Sequence, residues 1–159
     1  MFDILYGWAG EGLWGYLAVA LGAATPWLEI ILVIPPAVAL GLDPLGVGSA
    51  ALVGNFLPVV GIVVGHDAFR RRFPRRMERG DKMSRTGRHA RARRIMVRYG
   101  VAGLSLLGPL ITGVHLAALL ALASGASGRR VIAWMGASLT VWTVGLVIAS
   151  VLGVVAVTG

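Results

Sequence analysis

Residues 103–125 read GLSLLGPLITGVHLAALLALASG. The stretch carries no charge apart from one possible proton on His115, and Gly108-Pro109 and Gly113 interrupt it. It lies within an uncharged run from Tyr99 to Gly128, 30 residues with His115 neutral. A straight helix needs about 20 residues to cross a hydrocarbon core of ~30 Å. Thirty residues are long for one span and short for two spans plus a turn. With breakers near the middle, the run is expected to form a re-entrant hairpin that enters and leaves by one side. Backbone that leaves the helix at membrane depth is tolerated only inside protein or beside a wet cavity. The simpler alternative is one tilted, Pro-kinked helix.

The rest of the chain fits the same solvent. Of its 159 residues, 57% are hydrophobic, and the mean hydropathy is +0.79. A second long block, Gly12 to Leu42, has 31 residues, one carboxylate (Glu29) and breakers in LGAATPW. Pro44 to Gly65 and Val131 to Gly159 each suit one span. The fold class expected is an all-α integral membrane protein. It would be an inverted repeat of hairpin plus transmembrane helix, divided 1–65 and 99–159 and joined by a basic loop at 66–98. Leu21-Gly22 and Leu107-Gly108 open the two breakers, and eight residues after each leucine stands an ionisable group, Glu29 or His115. Inverted repeats with broken helices are a transporter architecture.

Charge placement favours hairpins over kinked spans. Thirteen of the fifteen Lys and Arg lie between Arg70 and Arg98, and the others are Arg129 and Arg130. With the basic loop cytoplasmic, the two-hairpin chain keeps all fifteen on the inner side, as the positive-inside rule requires. Both termini are then external, in the inner (plasma) membrane. Single spans in place of hairpins would put Arg129 and Arg130 outside. The N-terminus lacks the basic region of a cleavable signal peptide. The net charge of +8 is read as an attraction to anionic lipid headgroups rather than to nucleic acid. Phe69, Phe73, Ile95, Met96 and Tyr99 among the arginines suit an interfacial segment.

Intramembrane ionisable groups are costly and so point to function. Glu29 is the candidate proton-titrating or substrate-binding carboxylate; its structural alternative is a protonated side chain bonded to the nearby break. His115 stands where a returning half-helix offers N–H groups and a positive dipole end to an anion, and a histidine there would add charge when protonated or relay protons. Its alternative is a packing histidine. Thr25 and Thr112 lie in the breakers, and Asn55, in GNFLP, is a polar group inside a span. Pro26, Pro35, Pro36, Gly108, Pro109 and Gly113 are assigned to the hairpin breaks. Gly145, Ala149 and Gly153 form a small-residue stripe for helix packing, within the protomer or in a dimer. The chain has no cysteine, which excludes thiol chemistry. No metal site, cofactor or enzymatic constellation is expected.

The segments LEIILVIPPAVALGLDPLGVGSAALVGNFLP (28–58) and GPLITGVHLAALLALASG (108–125) resemble the Glu–Pro–Gly-Asn pattern and the second-half motif of the small multidrug export proteins, distant relatives of the DedA family. The resemblance covers most of the chain outside the basic loop. It implies an inner-membrane transporter with two re-entrant hairpins; DedA-like proteins are associated with proton-dependent transport and with flipping of polyprenyl phosphate carriers. The DedA pattern Gly-Arg…Pro-Gly-Val-Arg is altered here, with Pro109 at the first arginine and His115 at the second.

The expected function is therefore a proton-coupled transporter or lipid translocase for an amphipathic, anionic lipid-phosphate substrate. Glu29 and His115 would face one another near the midplane, and a homodimer would cover the hairpins. The alternatives are an exporter of amphipathic cations that bind ionised Glu29, and a non-transporting adaptor that acts through its basic loop.

Overall fold

The computed structural model describes residues 2–26, 28–72 and 89–158, with side chains described at 12–26, 28–72 and 100–157. These residues form six helices and no strand: α1 (Phe2–Ala24), α2 (Glu29–Ala39), α3 (Pro44–Arg72), α4 (His89–Ile111), α5 (Val114–Ala123) and α6 (Gly128–Thr158). Within α4 the backbone leaves helical geometry at Gly100 (φ 64°), which sets off an apolar arm from 100 to 111. Of the basic loop at 66–98, the stretch 73–88 lies outside the described residues.

Two helices, α3 and α6, are long and apolar enough to cross a membrane. Only 6% of the apolar window of α6 is buried. Val141, Val144, Ile148, Leu152 and Val155 are all exposed along it. A soluble protein does not expose so continuous an apolar surface. The chain is an all-helical membrane protein. By contrast, α2 and α5, at 11 and 10 residues, rise only about 15–17 Å.

The chain divides into two compact units, one built from 1–57 and 139–159, the other from 58–138. In the first unit α1 packs on α2, with Gly22 against Val33 (3.3 Å to a Cβ built on the glycine). Gly54 of α3 lies on the backbone of α1, so that a Cβ there would overlap the Ala20 carbonyl. Lipid tails are as apolar as leucine, and close backbone approach at small residues therefore drives such packing. Val19, Ala23, Ile30, Ile34, Val47 and Ala51 form the buried apolar layer.

In the second unit α4 packs on α5, with Gly108 against the Ala117 methyl. Pro109 does not break α4, although it has no N–H for the carbonyl four residues back, that of Ser105. The Ser138 hydroxyl of α6 donates to that carbonyl instead, at 2.7 Å in a buried setting. A neighbouring hydroxyl that replaces the lost backbone donor is what lets proline persist in a membrane helix.

Helix ends explain the turns. At the end of α2, Gly41 (φ 87°) donates to Val38 and Leu42 donates to Ala37, at 3.0 and 3.2 Å. This is the glycine-terminated Schellman arrangement, which needs a left-handed residue. It recurs 84 residues on: Gly125 (φ 90°) donates to Leu122 and Ala126 to Ala121, at 2.9 and 3.1 Å. The helix that follows is α3 in one case and α6 in the other. Asp43 caps α3 by accepting from Gly46 N–H at 2.7 Å, with Pro44 at the favoured first helical position. Four buried positions along α3 (Val47, Ala51, Asn55, Val59) are matched, 84 residues later, by Val131, Met135, Leu139 and Thr143.

Candidate functional site

The first turn joins α1 to α2 through 25–28. The Thr25 hydroxyl and N–H both bond to the Gly22 carbonyl, at 2.7 and 3.1 Å, which closes α1. Pro26 is exposed in the turn. Glu29 then opens α2, with its N–H directed at the Thr25 carbonyl (3.5 Å). It is only 7% exposed and has φ 42°. A buried non-glycine residue in that region costs of order 1–3 kcal/mol, and such residues cluster at functional sites. The geometry also sets the acidic side chain at the positive end of α2.

The second turn is shorter, Thr112 and Gly113 alone. The Gly108 carbonyl accepts from the N–H groups of both, at 3.0 and 2.8 Å. Gly113, at φ 81° and ψ 149°, adopts a conformation open to glycine only. The Thr112 hydroxyl is exposed and directed at the Gly113 carbonyl (3.4 Å). His115 is the second residue of α5 and is 6% exposed.

Asn55 sits inside α3, next to the Gly54 contact with α1. It is fully buried, and neither its amide oxygen nor its amide nitrogen has a hydrogen-bond partner. Three residues on, Pro58 deprives the Gly54 carbonyl of its helical donor. Thr25 thus ties Glu29 to the end of α1, and the Gly54–Ala20 contact brings α3 against α1 one residue before Asn55. His115 and Thr112 belong to the second unit.

The residues assigned to the breaks divide in two. Pro26 and Gly113 stand in the turns. Pro35 and Pro36 lie inside α2, and Gly108 and Pro109 lie inside the last turn of α4. The reason in α4 is the Ser138 bond to the carbonyl that Pro109 leaves free. Glu29 and His115 also shift against each other. The second turn is two residues shorter, so the 84-residue register of the returning arms pairs Glu29 with Gly113.

The sequence reading missed Ser105, Ser138 and Thr143. All three are buried, and the Ser105 and Thr143 hydroxyls have no hydrogen-bond partner. A signal was available for Thr143, which continues the every-fourth series Val131, Met135, Leu139. Nor is the small stripe of α6 packed as one: a Cβ on Gly145 or Gly153 would meet nothing within 4 Å. Ala149 and Gly153 instead line an open apolar groove of about 540 Å³ with Pro35, Ala39, Leu146 and Val157. Among the described residues no group of three or more His, Asp or Glu could hold a metal ion.

Residues 29–145, from the buried glutamate into the last helix, match the family described as "Putative small multi-drug export protein". The chain belongs to that family. No curated protein and no solved structure matches it. Membership makes it a membrane exporter by family description, and the match takes in Glu29, Asn55, Thr112 and His115 while leaving α1 outside.

Proposed function

We propose that this small multi-drug export family member is a proton-coupled translocase of the inner membrane that moves an amphipathic, anionic lipid-phosphate substrate. One observation carries the reading. Each of the two short returning helices, α2 and α5, begins with a buried ionisable residue: Glu29 in the first position of one, His115 in the second position of the other. Helices of 10 or 11 residues are too short to cross the core. This supports re-entrant hairpins whose turns lie at membrane depth, where ionisable groups persist for function.

The recurrence at 84 residues supports a duplicated hairpin-plus-span unit. Equivalent first arms meet equivalent spans: Gly54 on Ala20 in one unit, Ser138 on Ser105 in the other. With the basic residues cytoplasmic, the two copies are inserted in opposite senses. Charge follows the compact units. Residues 1–57 and 139–159 contain four acids and no Lys, Arg or His, whereas 58–138 contain every base in the chain. An acid in a unit with no cation of its own suits a group that is carried through the cycle protonated, and Glu29 is assigned that role. His115 and the N–H groups at the start of α5 are assigned the anionic headgroup. A homodimer would shield the hairpins from lipid.

One observation favours a second reading. The absence of Lys, Arg and His from the sequence of the unit that holds Glu29 would equally suit an amphipathic cationic substrate. Purified protein in vesicles, offered a lipid phosphate and a cationic dye, distinguishes the two. Flux of the lipid phosphate that protons drive supports the first reading. Dye flux that competes with protons, with no lipid-phosphate movement, supports the second.

A further inference from the structure

Gly128 opens α6 directly on the end of α3. A Cβ there would fall 2.6 Å from a Val63 methyl and 3.0 Å from Asp67 Oδ2, so only glycine lets the two helices meet so closely. The contact has a consequence for charge. Arg129 and Arg130 follow Gly128 at once, and Arg70, Arg71 and Arg72 stand three to five residues beyond Asp67, about 4.5–7.5 Å further along the axis. All five arginines are exposed. The chain between these two clusters spans more than fifty residues, and the Gly128 contact joins them into one surface.

The counter-charge is small. Asp67 is the only acid among the described residues of this unit. Its carboxylate lies at the amino end of α6, where the helix dipole is positive, and 3.5 Å from His66 Nδ1. It is thus engaged with its own chain. Phe69, 42% exposed, adds an apolar ring to the cationic surface, the mixture that seats a segment at a lipid interface.

We propose that the end of α3 and the start of α6 form one binding site for an anionic phospholipid headgroup, to which Arg129 and Arg130 contribute two of the five arginines. The inference rests on α3 and α6 crossing the bilayer, and not on what is transported. At 29 and 31 residues both helices exceed a ~30 Å core by about 13–16 Å. Their charged ends therefore reach the level at which lipid phosphates lie. Guanidinium presents a rigid fork of donors that matches phosphate oxygens. Fluid bilayer surrounds this end of the protein, which makes lipid the phosphate source.

The test uses the full chain in neutral detergent, titrated with phosphatidylglycerol or phosphatidylcholine, with bound lipid counted by native mass spectrometry. Wild type should prefer phosphatidylglycerol. Near a membrane surface each Lys or Arg contributes enough to change affinity about fivefold, so R129Q/R130Q should bind phosphatidylglycerol on the order of twentyfold to thirtyfold more weakly. R70Q/R71Q/R72Q should lose at least as much, and R129K/R130K should retain most of the affinity. If a glutamine variant does not fold, wild type at rising salt gives the same answer, because the preference should fall as the charges are screened. The proposal is overturned if R129Q/R130Q binds like wild type, if wild type shows no headgroup preference or a salt-independent one, or if equimolar inorganic phosphate displaces the lipid.

Discussion

Replacing Asn55 with leucine separates a structural amide from a functional one. The side chain is fully buried in α3 with both amide atoms unpartnered, and each unsatisfied buried group costs about 1–3 kcal/mol. Packing does not call for an amide there. The position 84 residues later, equally buried in α6, is Leu139. Asn55→Leu replaces the amide with an apolar group of similar volume, so it should stabilise the protein by about 1–3 kcal/mol. Unfolding in detergent would then shift upward by roughly 2–12 °C. Transport in vesicles should fall to background in the same variant on the proposal that the amide serves the substrate or the proton path. Thermal melts and flux on one preparation decide the matter. Loss of 1 kcal/mol or more of stability would refute the reasoning, since it would mean that the native amide is satisfied. A stabilised variant with wild-type flux would remove Asn55 from the site.

Three other outcomes follow from the same geometry. Ser138→Ala should cost about 1–3 kcal/mol by orphaning the Ser105 carbonyl, yet almost nothing in a Pro109→Ala background, where a backbone N–H returns to that carbonyl; equal costs in both backgrounds would break the link. A cysteine at Ser127 or Arg85 in this cysteine-free chain should be labelled only from the cytoplasmic side, and external labelling at Ser127 would rule out a re-entrant second hairpin. His115→Arg should strengthen binding of an anionic lipid phosphate at alkaline pH and His115→Leu should weaken it, as read by binding across pH; identical profiles for wild type and both variants would make His115 a packing residue.

The architecture was legible wherever hydropathy and charge decide it. The uncharged blocks announced two helices long and apolar enough to cross a membrane, because membrane thickness fixes how many residues one span can use. The exact turns were not legible. Pro109 reads as a breaker on local rules, but its effect depends on Ser138, which reaches the freed carbonyl from another helix 29 residues on. Leu21-Gly22 and Leu107-Gly108 suggested an 86-residue correspondence; both glycine carbonyls accept at a helix end, Gly22 from Thr25 and Gly108 from Thr112 and Gly113. The unequal turns then reset the returning arms to 84, a shift visible only in the Gly41 and Gly125 helix ends. In the candidate site, Glu29 and His115 stood out because charge is rare in such blocks. Asn55 was legible as a polar residue, but that its amide is fully buried and lacks partners appears only in the fold. The α3–α6 contact at Gly128 left no mark in the sequence beyond one glycine, which is why Arg129 and Arg130 were read only as topology signals.

Translocation is proposed to be driven by protons carried on Glu29. The most direct test is flux of a lipid phosphate by purified protein in vesicles across an imposed pH gradient, comparing wild type with Glu29→Gln. The amide keeps the size and hydrogen-bonding capacity of the carboxyl group but cannot titrate. Gradient-driven flux is expected in wild type and none in the variant, at equal protein insertion. Flux in Glu29→Gln that still follows the gradient, or wild-type flux indifferent to it, would show that Glu29 is not the proton carrier.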